Sequence, residues 1–421
     1  MTYEFEYLMH LFACGSKGLT PQPPRQSVDF DRLIQLAQEQ SVLPLVGTAL
    51  SKTSDIGFPS EKVTALVNIT RKQALSNYVK RRQIFKLLQD FEKAGIQAVL
   101  LKGYAVADMY AEPDCRISAD TDIYVNIKDE KQSYKLLREH GFKVNPRSHL
   151  SHHAVCEHPQ MGHIELHAIL YAKIVEDVWF EKTNDQQFIC EAYERHESED
   201  GSFYTLGKTD NLIFIVLHMI KHFIFCGTSL RQMMDIALYL NTYKNQINFK
   251  RFWEMLESLR YQKLMNTVLS VLVSYCGFLS NNLFGFVKVD DTAISALLED
   301  LETGGWLGTN ESDKRKSAWY KYNRIKFTEK GTSVSYWFYM AKRNIIYYFL
   351  SIFPPLSSLK KKYPYAVKII WFVPIAWTQH LLTGFLKLLN GKLGTGIVNN
   401  KNRILEDKKD RVQLFKVMQI M

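Results

Sequence analysis

The stretch that most constrains this chain is Ala119–Asp120–Thr121–Asp122–Ile123–Tyr124–Val125. It opens on a small residue and alternates, Ile123 and Val125 are β-branched, and the charged run Lys128–Asp129–Glu130 that follows reads as a helix start. The pattern predicts a strand. Side chains alternate along a strand, so Asp120 and Asp122 share one side, about 7 Å apart along the chain. Two carboxylates on one face repel each other, and a divalent cation removes that cost. Mg²⁺ takes hard oxygen ligands and is usually held by one or two carboxylates plus substrate phosphates. By itself the pair also fits a solvated strand edge carrying two unrelated aspartates, so the flanks have to decide.

Upstream, Ile96–Gln97–Ala98–Val99–Leu100–Leu101 reads as a buried strand ending at Lys102–Gly103, with a helix predicted over Tyr104 to Tyr110. A glycine between strand and helix lets backbone approach a phosphate, and a helix N-terminus favours an anion. Downstream, His163 to Ile169 alternates again and puts Glu165 and His167 on the face opposite Ile164, Leu166 and Ala168. A third acid on a neighbouring strand is what a two-metal phosphoryl-transfer site needs. His167 has two readings: a group beside the metals or the acceptor, or a hydrogen-bond partner that orients a carboxylate.

These pieces resemble the nucleotidyltransferase superfamily with a DNA polymerase beta-type palm, and more closely the bacterial "uncharacterised nucleotidyltransferase" family. The matching residues are Leu100–Leu101–Lys102–Gly103, Met109–Tyr110, Arg116, Asp120–Thr121–Asp122–Ile123 and Glu165–Leu166–His167. Leu217–His218, Lys221–His222, Leu230–Arg231 and Asp235–Ile236–Ala237 follow in the family's order. Similar flanks are Phe30–Asp31–Arg32–Leu33 with Val42–Leu43–Pro44–Leu45, and Phe353–Pro354–Pro355 before Lys362–Tyr363–Pro364, so the resemblance covers most of the chain. It implies a nucleotidyltransferase with Asp120, Asp122 and Glu165 as metal ligands, His167 beside them, and Lys102, Gly103 and Arg116 as phosphate contacts. The donor would be an NTP and the metal Mg²⁺ or Mn²⁺, with ATP among the candidate nucleotides. The chain departs from the wider superfamily at Gly103, which is followed by Tyr104 where Gly or Ser is usual, and in a slightly longer loop to Asp120.

With 421 residues the chain suggests two to three domains of about 100–200 residues. Its apolar share of 46% provides a core that requires neither disulfides nor structural metal. Six cysteines without a C-x-x-C pair, and an acidic start at Met1–Thr2–Tyr3–Glu4–Phe5–Glu6, lead us to expect a reducing cytoplasm and no signal peptide. A formal charge of +10 suits an anionic partner, but it is also ordinary solubility and helix-end charge.

Along the chain, helices are expected over Tyr3 to Cys14, Phe30 to Gln40, Val42 to Ser51 and Glu61 to Ala94, with Gly15–Ser16–Lys17–Gly18 breaking the first and Gly95 stopping the last. Glu130 to His140 is a further helix, Phe142 to Asn145 a strand, and His152 to Cys156 with His163 to Tyr171 a hairpin around Pro159–Gln160–Met161–Gly162. His149, His152, His153, His158, His163 and His167 make this region histidine-rich, but no spacing enforces a four-ligand zinc site. Asp210 to Tyr243 reads as two helices on which Arg231 and Asp235 have the spacing of an i,i+4 ion pair; a functional reading puts Lys221, His222 and Arg231 around a triphosphate. Further helices are expected over Phe249 to Phe278 and Asp291 to Glu302, and a mobile, basic end over Lys408 to Met421.

Trp337 to Ile352 and Val367 to Leu389 are apolar and aromatic but interrupted, so no transmembrane span is expected. They read as helices packed on the core, with peripheral membrane contact as the other reading. Gly304–Gly305–Trp306–Leu307–Gly308 and Gly391–Lys392–Leu393–Gly394–Thr395–Gly396 lack the residues of a Walker loop.

The expected fold is α+β: a small mixed β-sheet nucleotidyltransferase-like core over 95–200, an N-terminal helical region over 1–94 and a larger C-terminal helical region over 201–421. The expected reaction moves a nucleoside monophosphate from an NTP to an unidentified acceptor, a small molecule, glycan, peptide or protein, with release of pyrophosphate. The alternative is a catalytically inactive nucleotide-binding or membrane-surface scaffold on the same fold. Nucleic acid is the weaker partner, since the chain shows no stacked aromatic-basic RNA module.

Overall fold

In the computed structural model the described residues are 1–53, 56–147, 153–170, 190–225, 227–278, 285–304, 363, 365, 370–389 and 413–420. The chain divides into two compact units, Met1–Arg315 with Leu414–Ile420, and Lys316–Gln413 with Met421.

The first unit opens with four helices: α1 (Tyr3–Lys17), α2 (Phe30–Glu39), α3 (Leu43–Leu50) and α4 (Ser60–Lys93). Thr2 caps α1 through its hydroxyl and Asp29 caps α2 through its carboxylate, each accepting from the first turn. Pro44 sits in the first turn of α3, where its missing N–H costs nothing. Helix α1 was expected to break at Gly15 but runs on to Gly18, whose φ of +73° stops it. Gly15 serves packing instead: a Cβ there would lie 1.8 Å from the Leu45 carbonyl oxygen of α3, so only glycine admits so close a crossing.

A seven-stranded sheet follows, comprising β1 (Val99–Leu101), β2 (Asp120–Tyr124), β3 (Lys143–Asn145), β4 (His153–His158), β5 (Gly162–His167), β6 (Glu194–Ser198) and β7 (Gly201–Thr205). Its spatial order is β3-β4-β5-β2-β1-β7-β6. Strands β2 and β5 pair parallel, as do β1 and β7, and the other neighbours are antiparallel. One face, carrying Leu100, Ile123, Ile164 and Leu166, packs on Phe85, Leu88 and Phe91 of α4 and on Leu137 of α5 (Glu130–Glu139). On the opposite face Val99 and Leu101 pack on Leu206 and on Phe214 of α6 (Lys208–Phe225). The sheet is therefore covered on both sides, and its second face carries the acids.

Helices α7 (Leu230–Tyr243), α8 (Phe249–Ser258), α9 (Gln262–Cys276) and α10 (Asp291–Gly304) complete the first unit. Ser229 and Gln232 form a capping box at the start of α7. The helix expected over Tyr104 to Tyr110 is instead two short 3₁₀ turns, Gly103–Ala105 and Ala107–Met109. The hairpin β6–β7 was not expected at all. The chain end is not loose either: Leu414, Phe415, Met418 and Ile420 are buried, and the Phe415 ring meets Phe223 edge-on.

In the second unit, α11 (Val373–Leu389) follows a 3₁₀ turn, with Val373 and Ala376 against Tyr363 and with Trp371, Phe372 and Ile375 exposed. Among the described residues no helix is long and apolar enough to cross a membrane. The expectations for His149, His152, 305–308, 337–352, 353–355 and 391–396 lie outside the described residues.

Candidate active site

The parallel pairing of β2 with β5 sets Asp120 opposite His163, Asp122 opposite Glu165 and Tyr124 opposite His167. Because side chains alternate, all three acids project from the face away from Ile123, Ile164 and Leu166. Their carboxylate oxygens gather within 4.8 Å of one another. Asp122 lies at the bottom, with a side chain 2% exposed, while Asp120 and Glu165 remain reachable at 35% and 29%.

The chain compensates this charge with two cations of its own. Lys102 Nζ sits 2.9 Å from Asp122 Oδ2 and 3.4 Å from Asp120 Oδ2, and 3.0 Å from His218 Nε2. It gets there from an unusual backbone: Lys102 has φ +36° and ψ −153°, followed by Gly103 at φ +51°. Such a conformation costs a non-glycine residue about 1–3 kcal/mol and persists only where the surroundings hold it. His167 Nε2 lies 3.0 Å from Asp122 Oδ1 and 3.6 Å from Glu165 Oε2.

Burial alone would raise the carboxyl pKa values, but Lys102 and His167 outweigh it and hold Asp122 below the usual range. Glu165 is pulled down to about 2 against the effect of its burial, by His167, His153 and Lys102. Conversely, burial disfavours the charged forms of His167 and Lys102, and the surrounding carboxylates reverse that and raise both. The site is thus a partly buried cluster in which two cationic groups offset most, but not all, of the charge of three acids.

A cleft of about 280 Å³ opens over the cluster, lined among others by Lys102, Arg116, Asp120, Glu165, His222 and Arg231. Helices α6 and α7 supply its outer wall. His218 and His222 stand one turn apart on α6, with Nε2 atoms 3.3 Å apart. Burial and the nearby Lys102 push both below the ordinary imidazole range, His222 to about 4.

Arg116 sits deeper than a ligand contact requires. Its Nε and Nη2 donate to the two oxygens of Asp235 at 3.0 and 2.6 Å, and Tyr110 donates to the same carboxylate at 2.8 Å. Asp235 is therefore bound from a loop far away in sequence, which the spacing of Arg231 and Asp235 on one helix did not show. Arg231 lines the cleft and donates through Nη1 to the Ile117 carbonyl. Among the described residues, buried Arg116 Nη1 has no hydrogen-bond partner.

Of the candidate residues, the structure brings Lys102, Asp120, Asp122, Glu165 and His167 together and sets Arg116, His222 and Arg231 around the same cleft. Gly103 and Lys221 are not among the described residues that line it, although the charge of Lys221 reaches His153, His218 and His222. Two further residues stand at the site that the sequence reading named without giving them a role: His218, noted only within a matching motif, and His153, noted only within the histidine-rich stretch and here the cross-strand partner of His167. The second had a signal, since a hairpin centred on Gln160 pairs residues equidistant from it.

The donor set fits a hard divalent cation. Three carboxylates converge, and Asp122 Oδ2 lacks a well-aligned hydrogen bond although Lys102 Nζ is 2.9 Å away. Lys102 lies where a cation between the aspartates would go.

No curated protein matches the chain. Among solved structures, an antigenic nucleotidyltransferase-like protein from Paracoccidioides brasiliensis is similar at 14% identity, over 49% of this chain and 94% of that one, with a TM-score of 0.31. The sequence profile of the uncharacterised nucleotidyltransferases matches residues 26–277, from α2 through the sheet and the α6–α7 wall to the end of α9. The chain belongs to that nucleotidyltransferase family.

Proposed function

We propose that this protein transfers a nucleoside monophosphate from an NTP to an acceptor, releasing pyrophosphate, in a reaction that depends on Mg²⁺ or Mn²⁺. The observation that carries the reading is the register of β2 on β5, which sets Asp122 beside Glu165 with Asp120 one step along the same face. Asp120, Asp122 and Glu165 would hold the metal, which when bound supplies charge neutralisation at the phosphates and a lowered pKa for the acceptor group. Arg231 and Lys102 line the cleft and offer positive charge that would offset the negative charge developing on the leaving pyrophosphate. Arg116 holds Asp235, and through it fixes α7 against the loop that leads into β2. His167, whose pKa Asp122 and Glu165 raise against the effect of its burial, lies between the two carboxylates and orients both.

Calorimetry with each of the four NTPs tests the binding half of this reading. One nucleotide should bind in the presence of Mg²⁺ or Mn²⁺, bind much more weakly in EDTA, and lose its metal dependence in Asp120→Ala/Asp122→Ala. Equal binding by the folded double variant with and without metal would contradict the assignment of the acids.

A further inference from the structure

The acids are not the only donor set on this face. We propose that His153, Glu165 and His167 form a binding site for a divalent transition-metal ion of the Zn²⁺ type, next to the all-carboxylate group and sharing Glu165 with it. The site uses neither Asp120 nor Asp122 as a ligand, so it stands independently of the nucleotidyl-transfer reading.

The hairpin builds the site. Strands β4 and β5 pair His153 with His167 and Val155 with Glu165, so the two imidazoles are direct cross-strand neighbours and Glu165 is diagonal to His153. Their ring centroids are 5.3 Å apart. His153 Nε2 lies 3.7 Å from Glu165 Oε1, and His167 Nε2 lies 3.6 Å from Glu165 Oε2. One ligand atom from each residue falls within 4.8 Å of the other two. Tetrahedral zinc with bonds of about 2.0–2.1 Å places its ligand atoms about 3.4 Å apart; the two measured separations, each to a different oxygen of Glu165, exceed that by a few tenths of an ångström, and the two imidazole ligand atoms lie within 4.8 Å of each other. Both strands are held in a regular ladder, so the donors are arranged before any ion arrives.

Donor chemistry then selects the ion. Two imidazoles and one carboxylate suit Zn²⁺ and its first-row neighbours, whereas Mg²⁺ prefers oxygen throughout. Two adjoining sites on one face would therefore differ in preference: an oxygen site at Asp120–Asp122–Glu165 and a nitrogen-bearing site at His153–Glu165–His167. His167 now bonds Asp122 at 3.0 Å, so an ion taken up here would also draw on the group that orients that aspartate.

The test uses the full chain stripped with EDTA and titrated with Co²⁺, whose visible absorption reports coordination by nitrogen ligands, with Zn²⁺ then added as competitor. The expected result is one equivalent of Co²⁺ bound, displaced by Zn²⁺ and not by excess Mg²⁺. His153→Ala should weaken binding by at least about tenfold, while Asp120→Asn and the distant His140→Ala leave it intact. Wild-type protein gives a second measurement that needs no variant. Zn²⁺ should protect His153 from carbethoxylation by diethylpyrocarbonate, and Mg²⁺ should not. Absence of Co²⁺ binding, unchanged binding in folded His153→Ala, or equal protection by Mg²⁺ would overturn the proposal. Loss of NTP binding or turnover alone would leave it standing, so the two readings fail separately.

Discussion

Asp122 is held almost entirely out of water, and its charge is tolerated because Lys102 and His167 meet it from two sides. Taking away one partner of a buried ion pair costs about 3–5 kcal/mol, because the remaining charge is left without compensation. Lys102→Met should therefore lower stability by about 3 kcal/mol in EDTA, discounted within that range because Lys102 is partly exposed. The same variant should gain more from added Mn²⁺ than wild type does, since the metal would take over the role of the ammonium. Denaturant unfolding with and without Mn²⁺ reads both effects, and an identical Mn²⁺ gain in the two proteins would contradict this view of Lys102. The acids themselves were legible in the sequence because strand alternation forces Asp120 and Asp122 to one side and Glu165 to the outward face of its own strand. The part played by Lys102 was not. Its reach into the acids depends on a backbone at φ +36°, which no local propensity favours and only the assembled site maintains.

Helix α6 carries the clearest pH signal. His218 and His222 face Lys102 and Lys221 of like charge, His167 across the sheet, and Asp120 and Asp122, and the net result of burial and the cations is a depressed pKa for both. Between their folded values and the ordinary 6.5 the unfolded chain binds more protons than the folded one, so stability rises with pH across that window. Acidification from pH 6.5 toward about 4 should thus destabilise the fold. His167 acts in the opposite sense, because its raised value makes its contribution full below 6.5 and lost as pH rises through the folded value. Asp122 and Glu165 lose theirs only at lower pH, toward about 2 for Glu165. His222→Asn should flatten the decline between pH 6.5 and 4, measured as unfolding free energy against pH; an unchanged slope would show that His222 is not its source. Elements governed by caps and periodicity, such as α2 and α5, were readable from sequence. Those governed by remote partners were not: β6 reads Glu-Arg-His-Glu-Ser, with no apolar alternation, and becomes a strand because β7 pairs with both it and β1.

At the scale of the first unit, the two faces of the sheet do different work. One face is apolar and closes the core on α4 and α5. The other gathers acids, cations and histidines beneath α6 and α7. The α+β class followed from the sequence because helix and strand periods are both strong. The seven-strand order did not, because the parallel neighbours β2–β5 and β1–β7 are joined through long intervening chain. The formal charge of +10 is consistent with a polyanionic donor without identifying one. The most direct measurement follows the label itself: NTP carrying radioactive phosphorus at the α or the γ position, incubated with Mg²⁺, the protein and an extract of the cells that make it. The account predicts that α-label becomes attached to an acceptor, that γ-label leaves as pyrophosphate, and that Asp122→Asn abolishes both while the protein stays folded. Attachment of γ-label, or undiminished α-labelling by Asp122→Asn, would contradict it, and NTP binding with no label moved would leave a nucleotide-binding scaffold in its place.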